Sequence, residues 1–255
     1  MAKVLAISSQ TVFGPVGNSA AVPALQRQGH EVLALPTILL SFHPGHGPPA
    51  GQPTPAPLMA EMLDKLESLG ALRNCSAVMT GYFAGADQVD VAARAVSRIR
   101  SQCPECLVLV DPVIGDDGAL YVAESVAGAL RDRLIPLATI STPNAFELSW
   151  LTGAAVHDED SAAQAAARLG RPEVLVTSVP AVGEVATLLV LESCRQKHLA
   201  RRLDGVPHGT GDYLSGLYLA NRLSHAPADA FRRAMTRLGE VIAQSTGSST
   251  LDITG

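Results

Sequence analysis

Short runs rich in Val, Ile and Leu recur along this chain, each followed by a stretch with helical spacing, and this alternation constrains the fold more than any other feature. The runs are KVLAIS (3–8), EVLALPTILL (31–40), SAVMT (76–80), CLVLV (106–110), LATIS (137–141) and EVLVTS (173–178). Helical patterns lie between and after them at 18–29, 56–70, 87–101, 123–134, 146–153 and 159–170. Strands that are apolar throughout must be covered on both faces, so the chain predicts an α/β fold with a parallel sheet between two helix layers. Right-handed crossovers then point those strands the same way. Beyond 180, VATLLVLES and CRQKHLARRL predict an antiparallel ribbon, and two helices follow at 211–223 and 227–245. No break in composition divides the 255 residues, so 1–255 is expected to form a single domain.

Composition narrows the function. A net charge of −5 with no Lys/Arg run argues against a nucleic-acid partner. No apolar segment approaches the roughly 20 residues of a membrane span, and the apolar run in MAKVLAISSQ is too short for a signal-peptide core. A cytoplasmic chain without a membrane partner is the expectation. Cys75, Cys103, Cys106 and Cys194 form no disulfide framework, and the Cys103–Cys106 spacing lacks the second pair a zinc site needs. HPGHGPPAGQPTPAP (43–57) has no pattern that could pack, which predicts a mobile connector or a flap above the sheet.

The carboxyl ends of parallel strands share one rim, where open α/β sheets bind ligands. Here those ends are followed by SSQ, GYFAGADQ, DPVIGDDG, TPNAFE and TS. The segment VPHGTGDYLSGLYLANRL (206–223) adds Gly209, Thr210 and Gly211 at the start of an apolar helix, where backbone N–H groups and the helix dipole hold an anion. Asp212 beside them would repel a phosphate unless it serves the attacking group as a general base. Alone, the tetrapeptide reads equally well as a helix capped by Asp212. Asp111 before a proline has a local reading as a turn former, and Asn144 with Glu147 as a helix cap and its reciprocal partner. No GxxxxGK[ST] loop is present, and the glycines of GPVGNSAA lack the spacing and the acidic partner of a dinucleotide fold.

Six segments in order resemble the pyridoxal kinase family of the ribokinase superfamily: SxxVxGxVGNSAA (Ser9 to Ala21), TGYFAGADQ (80–88), DPVIGDDGALYV (111–122), TPNAFELSWLTG (142–153), VLVTS (174–178) and GTGD (209–212). The resemblance implies a ribokinase-like three-layer αβα sandwich with a central, mostly parallel sheet. It also implies ATP-dependent phosphorylation of the 5′-hydroxymethyl group of pyridoxal, pyridoxine or pyridoxamine by a homodimer. By resemblance Asp212 is the base and Gly209, Thr210 and Gly211 form the anion hole. Asp111, Tyr121, Thr142, Asn144, Glu147, Thr177 and Ser178 fall on the nucleotide side, with Mg²⁺ held mainly through water near Asp111 and Glu147, and a monovalent cation such as K⁺ compatible. Ser9, Val16, His43 and Tyr82 fall on the vitamer side.

Two positions depart from the family pattern: Gln10 stands where histidine is usual and Phe42 where asparagine is usual. These departures leave open a hydroxymethylpyrimidine substrate, although pyrimidine kinases usually carry a cysteine in the anion-hole loop and GTGD has none. They also leave open a non-catalytic vitamer-binding protein.

Overall fold

The computed structural model describes residues 1–254. Along the chain it places β1 (Lys3–Thr11), α1 (Asn18–Gln26), β2 (Glu31–Leu40), β3 (Gly51–Pro53), α2 (Ala56–Ser68), β4 (Ala77–Thr80) and α3 (Ala86–Gln102). There follow β5 (Leu107–Val110), β6 (Gly115–Asp116), β7 (Ala119–Leu120), α4 (Glu124–Ala129), β8 (Ile140–Ser141), α5 (Ala145–Thr152) and α6 (Glu159–Leu169). The chain ends with β9 (Glu173–Ala181), β10 (Glu184–Leu191), β11 (Arg195–Arg201), α7 (Thr210–Arg222) and α8 (Pro227–Ser245).

Nine strands form one sheet in the order β11-β10-β9-β8-β5-β4-β1-β2-β3. The pairings from β2 through β1, β4, β5 and β8 to β9 are parallel, and antiparallel strands close both edges. Residues alternate across the sheet. Val4, Met79 and Leu109 join the core under α1, α7 and α8, while Leu5, Ile7, Val78 and Val108 join the core under α2, α3 and α4. The three layers follow from strands that are apolar on both faces. Helix α7 sits close on α1 because Gly216 has no side chain; a Cβ there would lie 2.9 Å from the Ala21 backbone. Among the described residues no helix is long and apolar enough to cross a membrane.

Several boundaries differ from the sequence expectation. β1 runs to Thr11, and the strand expected at 137–141 shrinks to Ile140–Ser141 because Ile135–Leu137 forms a 3₁₀ turn. The helix expected over 123–134 is α-helical only to Ala129 and continues as a π turn, Leu130–Leu134. The 43–57 segment, expected to have no packing pattern, holds β3 paired antiparallel with Ile38–Leu40, and it is tied down further by Thr54 Oγ1 donating to the Pro36 carbonyl (2.7 Å). The free edge of β2 supplies the partner. Gly51 permits the approach, since a Cβ there would strike the Leu39 carbonyl.

β2 lies on one side of β1 and β4 on the other, so the chain reverses its progress across the sheet between β1 and β4. That is the topological switch point, and its carboxyl side is where a ligand crevice opens.

Candidate active site

Helix α7 starts at the crevice. Its N-cap is Gly209, held at φ 99. A Cβ there would strike the Pro15 carbonyl, so the close approach of the β1–α1 loop requires glycine. The first backbone bond of the helix runs from Tyr213 N–H to the Gly209 carbonyl (2.9 Å), which leaves the N–H groups of Thr210 and Gly211 ahead of the intrahelical ladder. Gly211 is exposed, and a Cβ built on it would meet nothing within 4 Å. The surface at Gly211 is therefore open at the start of the helix.

Asp212 does not cap the helix. It is the third helical residue, and no side chain caps α7. Burial pushes the Asp212 carboxyl up to about 6, against the opposing pull of the backbone N–H groups of Gly17 and of Asp212 itself. A Cβ on Gly81, just past β4, would lie 3.9 Å from Asp212 Oδ1. The carboxylate thus faces the switch point between β1 and β4.

Two further acids share this rim. Asp111, at the end of β5, accepts from Ser215 Oγ (3.0 Å), and Ser215 Oγ in turn lies 2.9 Å from Thr142 Oγ1. Burial, with Glu147 and then Asp212 adding repulsion, raises the Asp111 pKa well above the usual carboxylate range. Glu147 is buried at the start of α5, where Asn144 and Glu147 form a complete capping box. Its Oε1 accepts from Ile114 N–H (2.8 Å) and its Oε2 from Asn144 N–H (2.9 Å). Burial still raises it to about 7. The local reading of Asn144 and Glu147 as a cap therefore holds, and the same geometry puts the Glu147 charge against Asp111. Among the described residues no three His, Cys, Asp or Glu side chains converge as a direct metal cage.

Tyr121 directly follows the β6–β7 hairpin, where its N–H donates to the Ile114 carbonyl (3.1 Å), and its side chain is about half exposed. Thr177 N–H donates to the Pro143 carbonyl (3.0 Å), and Asn144 and Thr177 form a parallel bridge. Ser178 follows at φ 57, where the β9–β10 register shifts. Val113, at φ 41, is a β-branched residue in a region that such residues avoid. Both strained residues lie on the rim, where backbone strain is commonly concentrated.

On the other side of the crevice, Ser9 is buried at the end of β1, and a Cβ on Gly17 would strike its hydroxyl. Val16 lies beside Gly209, 3.3 Å from where a Cβ would stand. Tyr82 N–H donates to Ser8 Oγ (3.2 Å), and the Tyr82 carbonyl accepts from Thr37 Oγ1 (2.7 Å), which fixes the residue next to Gly81. His43 Nδ1 accepts from Gly45 N–H (3.0 Å), and its ring stacks on that of His208 (4.1 Å) just ahead of the anion hole.

A family model described as phosphomethylpyrimidine kinase matches residues 55–250. A pyridoxine/pyridoxal/pyridoxamine kinase of Bordetella avium is 40% identical over 244 residues, 92% of this chain and 82% of the relative. The solved pyridoxal kinase from Entamoeba histolytica has a TM-score of 0.94 at 28% identity, covering 99% of this chain and 93% of that one. Pyridoxal kinase from Leishmania donovani in complex with ADP and pyridoxamine gives 0.91 at 31% identity, over 96% and 87%. The chain belongs to the pyridoxal kinase family.

Both departures from that family's pattern make contacts of their own. Gln10 Nε2 donates to Ser19 Oγ (2.6 Å) and holds the β1–α1 loop, while the Phe42 ring packs edge-on to His46 at 6.4 Å. Sequence reasoning passed over Ser215, Gly17, Gly81 and His208. Ser215 had a signal: it follows Asp212 by three residues, on the same face of α7. Gly17 and Gly81 lie within the motifs SxxVxGxVGNSAA and TGYFAGADQ, but what they do depends on their approach to Ser9 and to Ser8 and Asp212, which spacing does not show. The Cys103–Cys106 pair lies just before β5, and burial pushes the Cys106 thiol up to about 12.

Proposed function

We propose that this chain transfers the γ-phosphoryl group of ATP to the 5′-hydroxymethyl group of pyridoxal, pyridoxine and pyridoxamine. The observation that carries the reading is Asp212, not spent on capping α7, raised to about 6 and aimed at the switch point beside the helix start of Gly209, Thr210 and Gly211. Named relatives that act on B6 vitamers, and a neighbour crystallised with ADP and pyridoxamine, support the substrates.

In the reaction the vitamer oxygen bonds to the γ-phosphorus, the bond from γ-phosphorus to the bridging oxygen breaks, and ADP leaves. Asp212 accepts the hydroxyl proton. With a pKa of about 6 it is largely ionised at neutral pH yet basic enough to take that proton late in a loose transition state. The N–H groups of Thr210 and Gly211 stabilise the charge developing on the phosphoryl oxygens. Ser9, Val16, Tyr82 and His43 line the vitamer side, while Tyr121, Thr142, Asn144, Thr177 and Ser178 line the nucleotide side. Buried Asp111 and Glu147, both raised by burial and Asp111 further by Glu147 and Asp212, fit a cation nearby, and a cation such as Mg²⁺ commonly keeps several waters. Mg²⁺ near Asp111 and Glu147 would offset phosphate charge. Homodimerisation has an apolar strip to use, with Leu58, Met62 and Leu69 exposed along α2 and its C-cap.

A second reading, phosphorylation of hydroxymethylpyrimidine, is favoured by the description of the matching family model and by Gln10 and Phe42. The test is ADP release from Mg·ATP with each B6 vitamer and with hydroxymethylpyrimidine, in K⁺ and in Na⁺ buffers. Asp212→Asn should lower kcat by about 10²- to 10⁴-fold with ATP binding nearly unchanged. Turnover confined to the pyrimidine overturns the first reading, and pyridoxal binding without any turnover overturns both.

A further inference from the structure

Five aromatic rings from three distant segments meet at the mouth of the site. Phe13 comes from the β1–α1 loop, Phe42, His43 and His46 from the segment after β2, and His208 from the approach to α7. His43 and His208 lie 4.1 Å apart at 31°. His46 stands edge-on to His208 at 6.2 Å, and Phe13 and Phe42 pack on His46 at 5.9 and 6.4 Å. The backbone at Gly45 runs so close beneath His208 that a Cβ would strike Nε2. Each segment also carries part of the proposed site: Val16 and Gly17, His43, and Gly209 to Asp212.

We propose that His208 is a positioning residue of this site: its ring clamps the loop after β2 onto the approach to the anion hole. The effect on turnover rests on the kinase reading; the clamp itself does not.

The charged forms that act on His43 are those of His208, from the segment before α7, and of His46, from its own turn. Gly45 N–H donates to His43 Nδ1, which keeps that nitrogen an acceptor. Burial first, and the two neighbouring imidazoles second, lower His43 to about 4. In a released loop it would titrate near the ordinary value of about 6.5. The open form therefore binds more protons than the clamped form between these values, so the clamp weakens as pH falls from about 6.5 towards about 4.

The test is amide hydrogen exchange over residues 41–47, corrected for intrinsic rates, in the wild type, His208→Phe and His208→Ala at pH 7.5 and 5. His208→Phe keeps a ring against His43 and removes the imidazole whose Coulombic effect lowers it. At pH 7.5 His208→Ala should exchange about three- to tenfold faster, the range of one aromatic pair, while His208→Phe stays protected. At pH 5 the wild type should lose protection and His208→Phe should lose less. The KM for pyridoxal should rise by the same factor in His208→Ala and return in His208→Phe. Equal protection in His208→Ala and wild type, pH-independent protection in the wild type, or an unchanged KM overturns the proposal. Exchange that follows the expectation in a chain that turns over no vitamer overturns the kinase reading and leaves the clamp standing.

Discussion

At the carboxyl side of the sheet, the start of α7 brings Asp212 to a rim that already holds Asp111 and Glu147, and burial raises all three pKa values. About 20 Å away, at the other end of the same helix, a fourth acid is buried under opposite conditions. Glu173, at the start of β9, accepts from Arg222 Nε (2.9 Å) and Nη2 (2.8 Å) and from Tyr218 Oη (2.6 Å). Arg222 Nη1 also donates to the His225 carbonyl (2.7 Å). Both regions bury carboxylates between the same helix and the same sheet. One is satisfied by the protein alone, and the other gathers acids that repel one another and suits a ligand bearing cations. The contrast separates the end of α7 that anchors the helix from the end proposed to carry the chemistry.

Arg222→Leu is the strongest way to break this comparison. It leaves Glu173 buried without its cation, which should cost about 3–5 kcal/mol of stability, read as a lowered denaturation midpoint. Adding Glu173→Leu should recover part of that loss, because two apolar groups replace a pair whose desolvation was costly. The kcat per folded molecule should not change. A loss below about 1 kcal/mol would mean that the pair behaves like an exposed salt bridge, and the anchoring role would fall.

Asp111→Asn probes the other end and should change stability in the opposite direction. The folded state holds Asp111 protonated to higher pH than the unfolded chain does, so its contribution is present at low pH and lost as pH rises through the raised pKa. Removing the charge should stabilise the ligand-free protein at pH 7.5 by about 1 kcal/mol, or about 2–4 °C in Tm. Because His43 shifts stability in the opposite sense with pH, the quantity to follow is the variant minus the wild type, which should grow from pH 5.5 to 7.5. Turnover should fall. A variant less stable than wild type at pH 7.5 would show that Ser215 and Thr142 already satisfy Asp111, and the two ends of α7 would then be alike.

The sheet was legible because its strands are apolar on both faces, a pattern that survives without knowledge of partners. The pieces that were missed are those whose pairing is tertiary. Three residues at Gly51–Pro53 carry no periodicity, and β3 exists because β2 has an edge to offer. The β6–β7 hairpin, with strands of two residues each, is equally silent. In the site, Asp212 stood out as an acid beside glycines at the start of an apolar helix. Ser215 is hidden inside the apolar run YLSGL, and the ring cluster joins positions 13, 42–46 and 208, which no local window contains. Positive φ at Val113 and Ser178 also leaves no trace in residue type, since neither residue favours that region.

Those strained residues give the smallest test and the sharpest one. If the chemical end of the molecule stores strain as well as charge, relieving the strain should stabilise the fold at a measurable cost to function. Ser178 is the cleaner site, because it is exposed while Val113 is partly buried and would lose packing. Ser178→Gly removes the Cβ that disfavours φ 57 but adds freedom to the unfolded chain, so the net gain should be a few tenths to about 1 kcal/mol. Ser178→Ala keeps the strain and removes only the hydroxyl, and its stability should stay within about 0.5 kcal/mol of wild type. If both variants weaken ATP binding equally, the hydroxyl is the nucleotide contact. If only Ser178→Gly weakens it, the left-handed turn is what places the neighbouring Thr177 against the nucleotide, and the strain at this rim serves binding. Equal stability of the two variants would show that the β9–β10 register shift accommodates serine without strain, leaving charge as the only difference between the two ends of α7.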